Sequence, residues 1–314
     1  MQLAHFSTCS VICVIIYNLL RTYALEKDKA RTYALIVSFV SIVFYYNATI
    51  IRDGIITIFI LQMLKIISSE NLSVRSLIKV IILLYLVSTF RIETALGCCL
   101  YLGAYYIINI HNASKSISNG VFLAIGIIVL VFVFQTSLDK LLYVYDSNYE
   151  NYVAGVNEES GIMGTIQRLP PVIREISAII FVALTPIPCW SRLADFGNMG
   201  RPECFNIMNF PTIISAFFNF YIIVYLLSCL FTNKSALRNK PYALKVLLVF
   251  GFLFMSLQTT VVSQRRIMSV YVLFYCLWAL VHSESEKKFN ASTMRFSVVL
   301  FGILQSFYII LWLI

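Results

Sequence analysis

Charge is what this chain has least of. Of 314 residues, 12% are charged and 60% are hydrophobic. A soluble domain carries about twice that charged share. Histidine is also scarce, with three in the chain (His5, His111 and His282), each near the end of an apolar run. The sequence contains no HExxH, no CxxC and no phosphate-binding glycine-rich loop ending in Lys-Ser/Thr. Each of those absences argues against a chemistry: a zinc hydrolase, a metal ribbon or thiol redox centre, and direct use of ATP. No Ser/His/Asp grouping suggests a hydrolase. No DxD or ExD pair opens the first outer loop, which argues against a metal-dependent sugar transferase acting on lipid-phosphate sugars. The eight cysteines sit mostly inside apolar stretches, where cysteine behaves as a small hydrophobe. Cys189 and Cys204 are the one pair placed to meet an oxidising compartment.

What remains is apolar sequence in blocks of about 15 to 23 residues, near the length needed to cross a bilayer. No block alternates with a period of two, which disfavours a membrane β-barrel. The expectation is an all-α, polytopic membrane protein of about ten spans. They fall near 3–20, 32–51, 54–68, 76–90, 94–110, 119–137, 209–231, 243–262, 267–282 and 295–313. The first block lacks a basic leader and a small-residue cleavage site, so it reads as a retained span. Three parts follow within one membrane domain (1–314): an N-terminal helix group (1–138), a large outer loop (139–208) and a C-terminal helix group (209–314). A net charge of +9 in such a chain serves orientation rather than nucleic-acid binding.

The stretch 176–190, ISAIIFVALTPIPCW, is ambiguous as a span, and the basic residues arbitrate. If it does not cross, one side holds Arg21, Lys27, Lys29, Arg31, Lys65, Arg75, Lys79, Lys115, Lys234, Arg238, Lys240, Lys245, Lys287, Lys288 and Arg295. The other side then holds Arg52, Arg91, Lys140, Arg168, Arg174, Arg192, Arg201, Arg265 and Arg266. If it does cross, the two sides carry equal numbers. The inward bias of positive charge selects the first arrangement, with both termini outside. The outer set contains a single lysine. Lysine serves as a solvated point charge, whereas arginine offers a planar fork that grips phosphate or carboxylate with two bonds. An outer face poor in lysine and rich in arginine points to anion binding.

Six of the seven prolines lie between residues 170 and 211. The outer loop therefore reads as short or re-entrant helices that roof a cavity, because irregular backbone at membrane depth must be buried in protein or face water. Tyr143 and Tyr145, with Tyr149 and Tyr152, suit either stacking on sugar rings or an interfacial aromatic belt. Acids accompany the outer arginines in Arg52–Asp53, Arg91-x-Glu93 and Arg174–Glu175, with Asp195 further on. A carboxylate near a sugar hydroxyl can act as a general base, and arginines can hold a phosphorylated leaving group. The same carboxylates at Asp53 and Glu93 equally suit salt bridges to the boundary arginines.

Three segments resemble a known family. IIRDGIITIFI is similar to an RDG segment, FVALTPIPCW to an LTPxPW-like segment, and VVSQRRIMSVYVLFY to an S-x-RR step into a late span. Together with ten spans and one long outer loop, they resemble the bacterial polymerases that join O-antigen and capsular-polysaccharide repeat units. The resemblance implies a GT-C-like fold in the bacterial inner (cytoplasmic) membrane. It implies an inverting, metal-independent glycosyl transfer without a cofactor, in which the donor is a glycan on undecaprenyl pyrophosphate. By position, Arg52, Arg91, Arg265 and Arg266 would hold pyrophosphate, and Arg168, Arg174 and Arg192 the glycan. The base would be Asp53, Glu93, Glu175 or Asp195. Partners would include the lipid-linked oligosaccharide, a chain-length regulator and a flippase, with no nucleic acid. Two other functions fit the composition: a flippase or transporter of lipid-linked oligosaccharide, and a membrane acyltransferase acting on glycans. A flippase should carry charges deep within its spans, and an acyltransferase should need a buried histidine facing its donor.

Overall fold

The computed structural model describes residues 2–39, 51–67, 74–91, 210–232 and 264–313, together with isolated positions at 94, 95, 98, 99, 102, 169, 170, 173, 177, 195, 196, 202 and 203. Among the described residues the chain is helical. The described residues form seven helices: α1 (Gln2–Thr22), α2 (Lys27–Phe39), α3 (Ile51–Ile67), α4 (Val74–Phe90), α5 (Phe210–Phe231), α6 (Gln264–Glu284) and α7 (Lys287–Leu313). Among the described residues the one other regular feature is a two-residue antiparallel ladder, β1 (Asp195–Phe196) with β2 (Pro202–Glu203).

The helices follow the apolar blocks, but several begin earlier than the blocks do. α2 starts at Lys27 and α7 at Lys287, so both open with turns of polar residues. Glu26 and Glu286 accept the first helical hydrogen bonds, from Ala30 N at 2.8 Å and Asn290 N at 3.0 Å. Each puts a carboxylate beside the positive pole of its helix, where negative charge is favoured. Among the described residues one helix, over Ile214–Phe231, is long and apolar enough to cross a membrane. Thr8–Thr22 is apolar but shorter.

The turn between α1 and α2 is closed by backbone bonds. Leu25 N donates to Leu20 O at 3.2 Å, and Ala24 N donates to Arg21 O at 3.0 Å. This is the paired bonding of a Schellman cap. It requires a left-handed residue, which here is Ala24 with φ of 60°. Glycine is the usual occupant, because a Cβ is strained in that conformation. Two features compensate: Leu20 and Leu25 are both buried in the core, and Arg21 Nη1 bonds Leu25 O at 2.7 Å.

Two apolar cores hold the helices. The larger joins α1, α2, α3, α5 and α6 through Ile12, Ile16, Leu19, Ala34, Leu61, Tyr225 and Tyr275. The smaller lies between α3 and α4, built from Ile56, Ile60, Met63, Val80, Leu84 and Val87. Leu273 of α6 packs against both. α7 lies on α5, where Phe301 meets Phe217 at 5.5 Å and Phe220 at 5.3 Å between ring centres. Its other face leaves Phe296, Val298, Val299, Ile303 and Phe307 exposed, and α4 does the same with Ile78, Ile82 and Tyr85.

Candidate functional site

α3 opens with Ile51-Arg52-Asp53, so both charged residues lie in its first turn. α4 ends at Phe90, and Arg91 follows immediately, its N–H donating to Val87 O at 2.8 Å. The positive pole of α3 favours Asp53 and the negative pole of α4 favours Arg91. The two helices pack antiparallel, which brings those poles side by side. Arg91 Nη2 donates to Asp53 Oδ1 at 2.8 Å, a charge-assisted hydrogen bond across 38 residues of sequence. Arg52 Nε approaches the same oxygen at 3.8 Å. The three side chains differ sharply in burial: Asp53 is 2% exposed, Arg91 9% and Arg52 49%.

Two threonines belong to the same helix ends. Thr57 Oγ1 donates to the Asp53 carbonyl at 2.8 Å, which ties the first turn of α3 to its second. Ala95 N donates to Arg91 O at 3.2 Å, so the chain makes one further turn beyond α4. Thr94 lies on that turn, fully buried, and its hydroxyl makes no hydrogen bond. Two guanidinium groups on one carboxylate leave a formal charge of +1 on Arg52, Asp53 and Arg91 together. Such an arrangement can attract an anion. Among the described residues no group of three His, Cys, Asp or Glu side chains could hold a metal ion.

The other sequence candidates are placed as follows. Arg265 and Arg266 lie in the first turn of α6, which packs against α3. Asp195 stands in β1 opposite Glu203 of β2. Glu93, Glu175, Arg168, Arg174, Arg192, Tyr143 and Tyr145 fall outside the described residues, as do the expected loop helices and the Cys189–Cys204 pair. Two of the four boundary arginines thus meet on a shared carboxylate. The six described cysteines are all free thiols.

A second polar cluster was not expected from the sequence. Tyr33 Oη lies 2.6 Å from His282 Nδ1, linking α2 to the end of α6. Trp278, Tyr225 and Tyr33 surround the imidazole, with ring centres at 5.1, 5.4 and 5.8 Å. Asn290 of α7 ties it further: its Nδ2 donates to His282 O at 3.1 Å, and its Oδ1 accepts from Tyr225 Oη at 2.6 Å. Deeper along the same interface Tyr275 Oη donates to Asn219 Oδ1, and Tyr271 stacks on Tyr275. The signal was available in the spacing. Tyr221–Tyr225, Tyr271–Tyr275 and Trp278–His282 are each four residues apart on one helix, and so share a face.

This cluster brings the α1–α2 turn and the α6–α7 turn to one end of the bundle. The charge count had assigned both turns to the same side. Exposed Lys27, Lys29, Arg31, Lys287 and Lys288 ring that end. No protein-family model, curated protein or solved structure matches the chain.

Proposed function

We propose that the protein is a multi-pass glycosyltransferase of the bacterial cytoplasmic membrane that joins lipid-linked oligosaccharide repeat units on the outer face. The observation that carries this reading is the meeting of Arg52 and Arg91 on Asp53 at one end of the α3–α4 pair. An exposed arginine held at such a helix boundary suits the phosphates of a polyprenyl pyrophosphate at the lipid–water interface. The exposed apolar faces of α4 and α7 support a lipid environment, since soluble monomers rarely leave such patches uncovered. The ten-span arrangement, the long outer loop and the GT-C-like fold belong to the same proposal.

In the proposed reaction a hydroxyl oxygen of the acceptor sugar attacks the anomeric carbon of the donor glycan from the face opposite the pyrophosphate. The carbon–oxygen bond to pyrophosphate breaks, and that leaving group takes the bonding pair. The hydroxyl proton passes to a carboxylate, drawn from Asp53, Glu93, Glu175 and Asp195. Guanidinium groups stabilise the charge that grows on the leaving phosphate without needing a metal. Arg168, Arg174 and Arg192, with Tyr143 and Tyr145, would hold the glycans, and Arg265 and Arg266 would complete the phosphate site.

Deleting the gene tests the reading. The expected outcome is single repeat units on the surface lipid and loss of the ladder of longer chains on a gel. An unchanged ladder overturns it, and repeat units trapped on the inner leaflet would mark a flippase instead. Arg266→Lys should impair the ladder despite the retained charge, because lysine lacks the fork.

A further inference from the structure

The three residues at the α3–α4 boundary are not equivalent, and their burial separates them. Arg91 is 9% exposed and bonded at 2.8 Å to a carboxylate that is itself 2% exposed. A guanidinium so enclosed presents little surface to a ligand, and drawing it away from its partner would strand a buried charge. Arg52 is 49% exposed. Its contact with Asp53 is made through Nε at 3.8 Å, too long for a hydrogen bond, and uses one edge of the fork. A phosphate approaching this end of the bundle therefore meets Arg52.

We infer that Arg52 is the residue of this boundary that contacts the anionic ligand, while Asp53 and Arg91 are positioning residues. They form an internal strut that ties the first turn of α3 to the end of α4 and so sets where Arg52 stands. The ligand is the pyrophosphate of a lipid-linked glycan, which rests on the proposed function above. The inference also removes Asp53 from the candidate bases. Its Oδ1 already accepts from Arg91, and at 2% exposure the carboxylate offers a sugar hydroxyl no approach. Glu93, Glu175 and Asp195 remain.

The test uses the full-length protein in lipid nanodiscs, with inorganic pyrophosphate as the probe and the polysaccharide ladder as a separate readout. Losing one charge-assisted contact should weaken pyrophosphate binding by about tenfold or more in Arg52→Ala, with an unchanged melting temperature. Arg91→Gln alone should weaken binding and lower the melting temperature. The double variant Asp53→Asn/Arg91→Gln keeps the net charge and replaces the ion pair by a neutral amide hydrogen bond. It should recover binding to within about threefold of wild type, because a strut needs shape rather than charge. A well-folded double variant that binds as weakly as Arg52→Ala would show that Arg91 itself meets the anion, and would overturn the inference. So would wild-type affinity in Arg52→Ala, which decides the matter even if the double variant does not fold. A wild-type protein blind to pyrophosphate overturns it as well. If the deletion strain keeps its ladder while the pyrophosphate results hold, the polymerase reading fails and the division of roles stands.

Discussion

The two polar clusters differ in the way they satisfy buried groups. At the α3–α4 boundary a single carboxylate is shared by two guanidiniums. Around His282 the polar groups are neutral, and each of Tyr33, Tyr225 and Asn290 makes a hydrogen bond within a box of aromatic rings. Charge is costly to bury and is tolerated where it is paired, as Asp53 is with Arg91. Neutral hydrogen bonds between helices hold a packing arrangement without attracting ions. The comparison teaches that an enclosed ion pair joins α3 to α4, whereas neutral hydrogen bonds and ring packing join α2, α5, α6 and α7. The basic residues ringing the aromatic end are exposed, and Lys29 pairs with Glu26 across 3.2 Å of open surface.

The contrast can be broken most severely at the charged end. Arg91→Ala leaves Asp53 buried without its close partner and should cost about 3 to 5 kcal/mol, seen as lost folded yield and a lower melting temperature. Trp278→Ala empties the centre of the aromatic box and should cost about 3 kcal/mol by the same measurement. If it costs much less, the box is not what holds α2, α5 and α6 together. Tyr33→Phe keeps the ring and removes the bond to His282, so about 1 kcal/mol is expected in denaturant titration. An effect near that of Trp278→Ala would mean that His282 does more than pack. Ala24→Gly relieves the left-handed turn and should stabilise the protein by about 0.5 kcal/mol, visible as a small rise in melting temperature. Lys29→Ala, at an exposed pair, should change stability by less than about 0.5 kcal/mol.

Much of the helix layout was legible in the apolar blocks. The expected spans 3–20, 209–231 and 267–282 correspond to α1 (Gln2–Thr22), α5 (Phe210–Phe231) and α6 (Gln264–Glu284) within a few residues. The start of α7 was missed by eight residues, since 295 was expected and Lys287 begins the helix. Hydropathy cannot register a helical turn such as Lys287-Lys288-Phe289-Asn290, which is helical because Glu286 caps it and Phe289 packs on Tyr225. The same effect drew Arg52, Asp53, Arg265 and Arg266 inside the helices they had been expected to precede. The short ladder at Asp195–Glu203 had no periodic signal to announce it, being two residues long on each side.

The site was legible as a set of residue types and not as an arrangement. The sequence offered Arg91-x-Glu93 and Arg52–Asp53 as neighbouring charges, with salt bridges and a ligand site as equal possibilities for the acids. The structure shows a close pair that is distant in sequence, Asp53 with Arg91. Its reason is geometric: antiparallel packing of α3 on α4 brings the start of one helix to the end of the other, whatever lies next along the chain. Nothing next to His282 in the sequence marks it, because its partners lie on three other helices.

By itself the sequence determined where helices form, through the length and periodicity of its apolar runs, and which ends carry arginine rather than lysine. Those are local properties, set by backbone hydrogen bonding and side-chain chemistry within a few turns. Only the tertiary structure decided that Asp53 is enclosed while Arg52 faces outward, and that Tyr33, Tyr225, His282 and Asn290 share one site. Burial and partnership are properties of packed surfaces, and the chain carries no record of which helix faces will meet until they do.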